Sequence, residues 1–233
     1  MAKVTKNPIQ YELKLDEYQK LAKEAIINNQ ITVITGKAGS GKTSCAVQAA
    51  LDLLFKKELS KIYITRPIVE VGKSLGFLPG ELADKYNPYI EPVLDSLYAC
   101  YGDKAKVKKH LDNKDIEGYP IAYIRGKNMD DFLLVDEAQN LSVLEVRAIC
   151  TRLTKNGRIV FVGDTEQNDT RESYTGLNYL FDMSNHIPEI EVHKLKNNHR
   201  SDIVAKILDY DYARRKRNDL AKAEFEKKIA NEC

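Results

Sequence analysis

Residues 36–43 have the sequence Gly-Lys-Ala-Gly-Ser-Gly-Lys-Thr, which matches the pattern G-x-x-x-x-G-K-[ST] in full. An apolar run, Ile31–Thr35, precedes this segment and a helical pattern follows it. The glycines let the backbone turn sharply, so that successive N–H groups point at phosphate oxygens, and the N-terminus of the following helix favours anions. The segment therefore predicts a strand–loop–helix unit that binds nucleotide phosphates and belongs in an α/β fold.

The residues of this phosphate loop are each expected to contact the nucleotide. Lys42 would reach the β- and γ-phosphates and act in catalysis, and Thr43 would ligate Mg²⁺. The guanine-reading pattern N-K-x-D is absent, because Asn113-Lys114-Asp115-Ile116 carries its acid one position early. ATP and Mg²⁺ are therefore the expected cofactors. The expected phosphate-binding residues are Gly36, Lys37, Ala38, Gly39, Ser40, Gly41, Lys42 and Thr43.

Two adjacent carboxylates follow a second apolar run. Phe132–Val135 predicts a buried strand, and Asp136 and Glu137 come directly after it, at the edge where open α/β sheets bind ligands. Asp136 is placed to hold Mg²⁺ through a water molecule, and Glu137 to orient and deprotonate the attacking water. The alternative is that the acids cap the next helix, at Ser142 or earlier. The phosphate loop upstream favours the catalytic interpretation.

A third apolar run, 158–162, ends in Gly163-Asp164-Thr165-Glu166-Gln167. The amide of Gln167 could contact both the γ-phosphate and a neighbouring element, and so report hydrolysis. The alternative is an ordinary polar turn between strand and helix, which the Gly-Asp start also explains.

Apolar runs alternate with amphipathic stretches along the chain, which predicts a mostly parallel sheet with helices on both faces. The segment 103–118 is polar and lysine-rich, which predicts a surface excursion made of a short helix with loops. The candidate strands are 31–35, 61–65, 121–124, 132–135, 158–162 and 189–193, and the candidate helices are 15–28, 42–55, 88–101, 143–152, 176–183 and 202–228.

The composition excludes several classes of protein. The formal charge of +2 gives no global basic field, so a nucleic-acid surface would have to be a local patch. The four cysteines lie far apart in the sequence, which argues against a zinc site and a disulfide framework. No secretory signal and no run of 18 apolar residues is found, so no membrane contact and a cytoplasmic location are expected.

Beyond the nucleotide motifs, the chain resembles the PhoH family of P-loop ATPases. The similar features are Thr65-Arg66-Pro67, the block Gly76-Phe77-Leu78-Pro79-Gly80, then Lys85 and Pro88-Tyr89 with Pro92 and Leu97, and Asp136-Glu137-Ala138-Gln139-Asn140. The resemblance covers roughly residues 15–210. It is specific, because generic P-loop proteins lack the Gly-Phe-Leu-Pro-Gly block.

The same motifs resemble the first ATPase domain of superfamily 1 helicases. Gln19 lies where those helicases carry an adenine-reading glutamine. Gly163-Asp164-x-x-Gln167 resembles their G-D-x-x-Q, and Leu195-x-x-Asn198-His199-Arg200-Ser201 their L-x-x-N-Y-R-S, with His199 in place of the usual tyrosine. The resemblance implies that Arg200 stabilises transition-state charge, while an ordinary surface arginine is the alternative. It also implies a RecA-like core, with the Gly163 strand between the phosphate-loop strand and the Asp136 strand.

A single RecA-like domain over 1–212 is expected, followed by a charged helical extension over 213–233. No second RecA-like domain is expected after it, so a cleft around ATP would need a second copy of the chain. We therefore expect a homo-oligomer, with a hexameric ring as one arrangement and Arg200 acting within its own chain or across the interface.

Single-stranded RNA or DNA is the expected macromolecular partner. Thr65-Arg66-Pro67 resembles the helicase motif that lies along single-stranded backbone, and Arg66 and Lys73 are expected to contact it with Thr65. Basic and aromatic groups mix downstream, as in single-strand tracks: Lys73, Phe77, Lys85, Tyr86 and Tyr89. The alternative is that the aromatic side chains are core packing and the lysines are solvated.

Two other functions are compatible with parts of the sequence. Thymidine kinases also join a P-loop to a D-E-A-Q sequence, but this chain lacks their four-cysteine zinc site and carries blocks that they lack. A slow nucleotide-dependent scaffold is the other alternative, and Glu137 argues against it, because a binding switch needs no base there. An ATPase acting on single-stranded nucleic acid is the favoured function, with helicase activity implied by resemblance alone.

Overall fold

A computed structural model describes residues 11–68, 82–167, 170, 174–199, 201–204, 206–210, 212–214 and 217, with only the backbone described for 82–85. The sheet is formed by six strands: β1 (Ile31–Thr35), β2 (Ile62–Thr65), β3 (Ile116–Gly118), β4 (Phe132–Val135), β5 (Arg158–Gly163) and β6 (Ile190–Lys194). The helices are α1 (Glu17–Asn28), α2 (Lys42–Phe55), α3 (Leu82–Tyr101), α4 (Lys104–Asp112), α5 (Ile121–Ile124), α6 (Val143–Cys150) and α7 (Gly176–Ser184).

All the strand pairs are parallel, in the order β3-β2-β4-β5-β1-β6. The strand that ends at Gly163 lies between the phosphate-loop strand and the Asp136 strand, as the resemblance implied. Together with the phosphate loop after β1, this order confirms the RecA-like P-loop fold.

The register of the strands brings their carboxyl ends to one edge of the sheet. Thr35 of β1 is opposite Gly163 of β5, and Thr65 of β2 is opposite Val135 of β4. The residues that follow these positions are Gly36, Arg66, Asp136 and Asp164. Residues far apart in sequence therefore begin four loops at the same edge, which is where ligands bind in open α/β sheets.

The sheet is covered on both faces because alternate strand residues point into two separate cores. One core packs α1, α2 and α3 against Ile34, Ile64 and Leu134. The other packs α5, α6 and α7 against Val33, Val135 and Phe161. This confirms the predicted helices on both faces. The helix that follows the phosphate loop is itself largely buried, from Cys45 to Leu53.

Two predictions of local structure are wrong. Residues 121–124 form the short helix α5 rather than a strand. Periodicity does not distinguish a helix from a strand in so short an apolar run. Pro120 precedes α5, and its φ of −59° is compatible with the start of a helix. The polar segment after Asp103 forms α4, in agreement with the short helix expected there, but it continues into the edge strand β3 rather than a loop; β3 is three residues long and contains a glycine. Strand propensity is weak in such a segment, so pairing with β2 decides its conformation.

Helix α3 begins earlier than expected, at Leu82 rather than at Pro88, and both Pro88 and Pro92 lie inside it. Proline is common at the first helical position, which is why the sequence favoured a later start. The contacts within the chain separate residues up to Asn197 from those after it into two compact units. The predicted division after residue 212 stays a prediction. Among the described residues, no helix has the length and apolar character needed to cross a membrane.

Candidate nucleotide site

The phosphate loop is shaped by close contact with α1. Gly41 precedes α2 with a φ of 77°, a conformation that glycine adopts without steric cost. A Cβ at this position would lie 2.2 Å from Nε2 of Gln19. Gln19 is buried, its Nε2 donates to the Ser40 carbonyl at 2.9 Å, and its Oε1 accepts from the N–H of Asp16 at 2.9 Å. Gln19 thus ties the loop to the start of α1, and its contact with adenine stays a prediction.

Lys42 and Thr43 place the two expected functional groups of the loop. Nζ of Lys42 donates to the carbonyl oxygens of Gly36 at 2.6 Å and Lys37 at 3.1 Å, so the ammonium lies within the loop. Oγ1 of Thr43 donates to Oδ1 of Asp136 at 3.3 Å. These two side chains come from segments 93 positions apart in the sequence, and the sheet brings them together.

Asp136 is a buried carboxyl group with a perturbed pKa. Burial, together with the neighbouring carboxylate of Glu137, raises the pKa of Asp136 from 3.8 to about 6, against the opposing effects of Arg66 and the Thr43 hydrogen bond. A buried carboxylate of this kind is stabilised by a cation.

Both carboxylate oxygens of Glu137 are engaged. Oε1 accepts from Nη2 of Arg66 at 3.0 Å, and Oε2 accepts from Nε2 of Gln139 at 2.5 Å. The backbone of Glu137 has a φ of 54°, which is uncommon for a residue with a side chain and is typical of positions where a site fixes a functional group. The cap of α6 is Ser142, in a capping box with Glu145, so the acids at 136 and 137 do not serve as that cap.

Gln139 connects Glu137 to the turn after β5. Its Oε1 accepts from the N–H of Asp164 at 3.1 Å, and its side chain is buried. In the same turn, the N–H of Gln167 donates to the carbonyl of Asp164 at 3.3 Å. The turn also approaches the phosphate loop, where Nζ of Lys37 lies 3.9 Å from Oε2 of Glu166. Gln167 therefore belongs to the turn that approaches the phosphate loop, and its role as a reporter of hydrolysis stays a prediction.

The residues present fit a Mg²⁺-nucleotide. Mg²⁺ is usually bound by one or two protein oxygen ligands together with substrate phosphates and waters, and the pair of Thr43 and Asp136 has that composition. Among the described residues there is no cluster of three or more His, Cys, Asp or Glu that could hold a metal by itself. Oγ of Ser40 is buried in the loop without a hydrogen-bond partner in the described part of the chain, and a phosphate oxygen could satisfy it.

The residues expected to contact nucleic acid differ in their exposure. Thr65 is fully buried and its hydroxyl shares a hydrogen bond of 3.2 Å with Tyr86, so it is not presented to a ligand in this structure. Tyr86 is 3% exposed, which corrects its assignment to a stacking track, because its ring belongs to the core. Arg66 is partly exposed beside Glu137. Lys73 and Arg200 lie outside the described residues.

Sequence reasoning missed the roles of Gln139 and Tyr86. The sequence shows Gln139 only as part of the motif Asp136–Asn140, with no role of its own, and no sequence signal predicts its contact with Asp164. Tyr86 is a phenol enclosed by three polar groups of β2 and the residue after it. The sequence indicated only an aromatic residue in a mixed basic segment.

Comparison with known proteins places these features in context. Residues 14–211 match the family model described as PhoH-like protein. The chain is 37% identical over 208 residues to the PhoH-like protein of Mycobacterium leprae, covering 87% of this chain and 58% of that protein. It is 36% identical over 192 residues to the PhoH-like protein of Bacillus subtilis, covering 80% and 60%. The chain thus spans little more than half the length of these curated relatives.

Solved structures with similar folds are more distant. The Sulfolobus solfataricus SWI2/SNF2 ATPase core in complex with dsDNA is 15% identical with a TM-score of 0.49, covering 82% of this chain and 46% of that one. The Pif1 helicase from Candida albicans is 15% identical with a TM-score of 0.45, covering 84% and 43%.

Proposed function

Because the chain belongs to the PhoH family, we propose that it hydrolyses ATP with Mg²⁺ and that single-stranded RNA or DNA controls this hydrolysis. Nucleotide binding is the property of the P-loop fold itself. What we propose in addition is that Mg²⁺ binds with the nucleotide, that ATP is hydrolysed and that nucleic acid controls the hydrolysis.

The observation that carries the proposal is the approach of Thr43 to Asp136. Their oxygens lie 3.3 Å apart, at the mouth of the phosphate loop, and Glu137 follows Asp136 directly. A Mg²⁺ ion held there would neutralise charge on the phosphates. The raised pKa of Asp136 supports a cation as its partner, because a buried carboxylate otherwise has little to stabilise its charge.

Lys42 and Glu137 have different roles in the proposed hydrolysis. The ammonium of Lys42 would exchange its loop carbonyls for oxygens of the β- and γ-phosphates. Glu137 would accept the proton of the water that attacks the γ-phosphorus, while the bond from that phosphorus to the bridging oxygen breaks and ADP leaves. The products are ADP and inorganic phosphate, so no acceptor other than water is needed.

Arg66 supports the nucleic-acid part of the proposal. Its guanidinium is partly exposed at the same edge of the sheet as the phosphate loop, and guanidinium groups bind phosphodiesters well. The contacts of Lys73 with nucleic acid, of Gln19 with adenine and of Arg200 with the γ-phosphate belong to the same proposal, as do the reporting role of Gln167, the homo-oligomer and the cytoplasmic location.

The test is steady-state ATP hydrolysis by the purified chain with Mg²⁺, with and without oligo(dT) and poly(U) at low salt. Glu137→Gln keeps the shape of the base and removes its function, so we expect it to bind ATP and to lose about 10²- to 10⁴-fold in kcat. Lys42→Ala should lose nucleotide affinity as well. Equal loss of affinity in the two variants would contradict the roles assigned, and hydrolysis that neither polymer changes would remove nucleic acid from the proposal.

A further inference from the structure

The carboxylate of Glu137 is held from two opposite directions. Arg66 follows β2 and contacts Oε1 at 3.0 Å. Gln139 contacts Oε2 at 2.5 Å and is itself bonded to Asp164, which follows β5. In the sheet, β2 and β5 lie on opposite sides of β4. The two contacts therefore draw the two oxygens of one carboxylate toward opposite neighbours of its strand.

Only one of these directions leads to the nucleotide. The phosphate loop follows β1, which pairs with β5 on the side of β4 away from β2. The contact with Gln139 thus holds Glu137 on the side of the phosphate loop, and the contact with Arg66 draws it the other way. While the guanidinium holds Oε1 on the side of β2, that oxygen is drawn away from the phosphates, so release of the ion pair favours its approach to a water there.

The position of Arg66 is fixed by Tyr86 of α3. The Tyr86 hydroxyl accepts from the N–H of Arg66 at 2.7 Å and donates to the carbonyl of Arg66 at 2.9 Å. The hydroxyl also lies 3.2 Å from Oγ1 of Thr65, which can donate to it. A phenol has one proton to donate and two lone pairs, so these three contacts use its full capacity. Two hydrogen bonds therefore hold the backbone of Arg66, while its guanidinium, paired with Glu137, is partly exposed and accessible to an external anion.

We propose that Arg66 is a latch on the catalytic base: its ion pair holds Glu137 away from the nucleotide, and a phosphodiester that pairs with Arg66 releases it. This inference rests on the proposed function. It deepens that function by naming the residue through which nucleic acid controls hydrolysis. Arg66 is a positioning residue in this scheme, since it acts on the reaction through Glu137.

The energetics suit a reversible latch. The side chains of Arg66 and Glu137 are 25% and 33% exposed, so solvent screens the pair and an external phosphate can compete for the guanidinium. The Gln139 side chain is buried and is also bonded to Asp164, so its contact with Glu137 would remain when the ion pair opens. Release of one contact therefore leaves the base oriented by the other.

The test compares Arg66→Gln with the wild type in kcat, in KM for ATP and in stimulation by oligo(dT) and poly(U). We expect basal kcat to rise about two- to fivefold, the factor that a partly exposed ion pair can contribute, with KM for ATP unchanged and stimulation by either polymer lost. Arg66→Lys retains a cation without the planar fork and should restore part of the stimulation. Arg147→Gln, at an exposed arginine of α6, is the matched control and should behave as wild type.

Each result has a distinct meaning. Absence of hydrolysis in both wild type and Arg66→Gln would refute the ATPase itself. A wild type that hydrolyses ATP, beside an Arg66→Gln variant that is no faster, would overturn the latch alone. Tyr86→Phe provides a second measurement: it keeps the ring and removes the hydroxyl, so it should raise basal kcat in the same direction and by less. A fall in kcat for Tyr86→Phe, with an unchanged melting temperature, would also count against the latch.

Discussion

The side chain of Gln139 bridges Glu137 and the backbone of Asp164, donating to a carboxylate oxygen at 2.5 Å and accepting an N–H at 3.1 Å. A buried amide with both ends satisfied is rigid, so it fixes the base relative to the turn after β5. If that turn moved on loss of the γ-phosphate, Gln139 would therefore transmit the movement to Glu137.

Replacement of Gln139 by Met should impair both stability and catalysis. Met has a similar volume and cannot bond to Glu137 or to the N–H of Asp164, so the free energy of unfolding should fall by about 1–3 kcal/mol. The kcat should fall about tenfold, because the base loses its orientation. Gln30→Met is the control outside the site: Gln30 is exposed and bonds to the carbonyls of Thr154 and Lys155, so that variant should change stability little and keep its kcat. Equal effects of both variants on kcat would contradict the positioning role.

Gly41→Ala should damage the phosphate loop for two separable reasons. The Cβ would lie 2.2 Å from Nε2 of Gln19, and the φ of 77° costs a residue with a side chain roughly 1–2 kcal/mol. A loss of nucleotide affinity is expected in titration with a fluorescent ATP analogue. Adding Gln19→Ala should relieve the clash and leave the strain, so relative to the single variant Gln19→Ala, which lacks the contacts of Gln19 with the loop, the double variant should still bind the analogue more weakly. Gly126→Ala is the control, because its nearest atom is 3.9 Å away. Equal affinity of the double variant and Gln19→Ala would show that the backbone strain is negligible.

Asp136→Asn should stabilise the metal-free protein and abolish its response to Mg²⁺. Burial raises the pKa of Asp136 from 3.8 to about 6, so the native state binds the proton more tightly than the unfolded state does. The contribution of Asp136 to stability therefore falls as pH rises from about 4 to about 6, and remains lower above that range by at most roughly 3 kcal/mol. The asparagine variant has no such titration. In EDTA, the melting temperatures of the wild type and of Asp136→Asn should coincide near pH 4, and that of the variant should be higher at pH 8. Addition of Mg²⁺ with a non-hydrolysable ATP analogue should raise the melting temperature of the wild type only. A variant less stable than wild type at pH 8 in EDTA would refute this account.

The thiols of Cys45 and Cys100 should be inert in the native protein. Burial raises the pKa of Cys45 to about 12 and that of Cys100 to about 11, and the reactive species is the thiolate. Peptide mapping after iodoacetamide treatment at pH 8 should find both unmodified in native protein and both modified in urea. Rapid native labelling of Cys45, in the helix after the phosphate loop, would mean that this helix opens locally.

Local signals in the sequence are sufficient to predict several elements of the fold. The glycines and Lys42–Thr43 specify a strand, a loop and a helix within about 25 residues, because turn geometry and periodicity act over short distances. The apolar run before Asp136 likewise predicts a buried strand with acids at its end. Even the place of β5 in the sheet was predictable, although only through resemblance to helicase domains.

The tertiary structure alone decided which side chains meet. Arg66 and Glu137 are 71 positions apart, and Gln139 and Asp164 are 25 apart, so neither pair leaves a periodic or spacing signal. The same applies to residues 121–124 and to β3, because their local preference for helix or strand is weak and the elements that they contact decide their conformation. The sheet register places Arg66 and Asp164 on the two sides of the Glu137 strand, and that arrangement of neighbours sets the environment of the base.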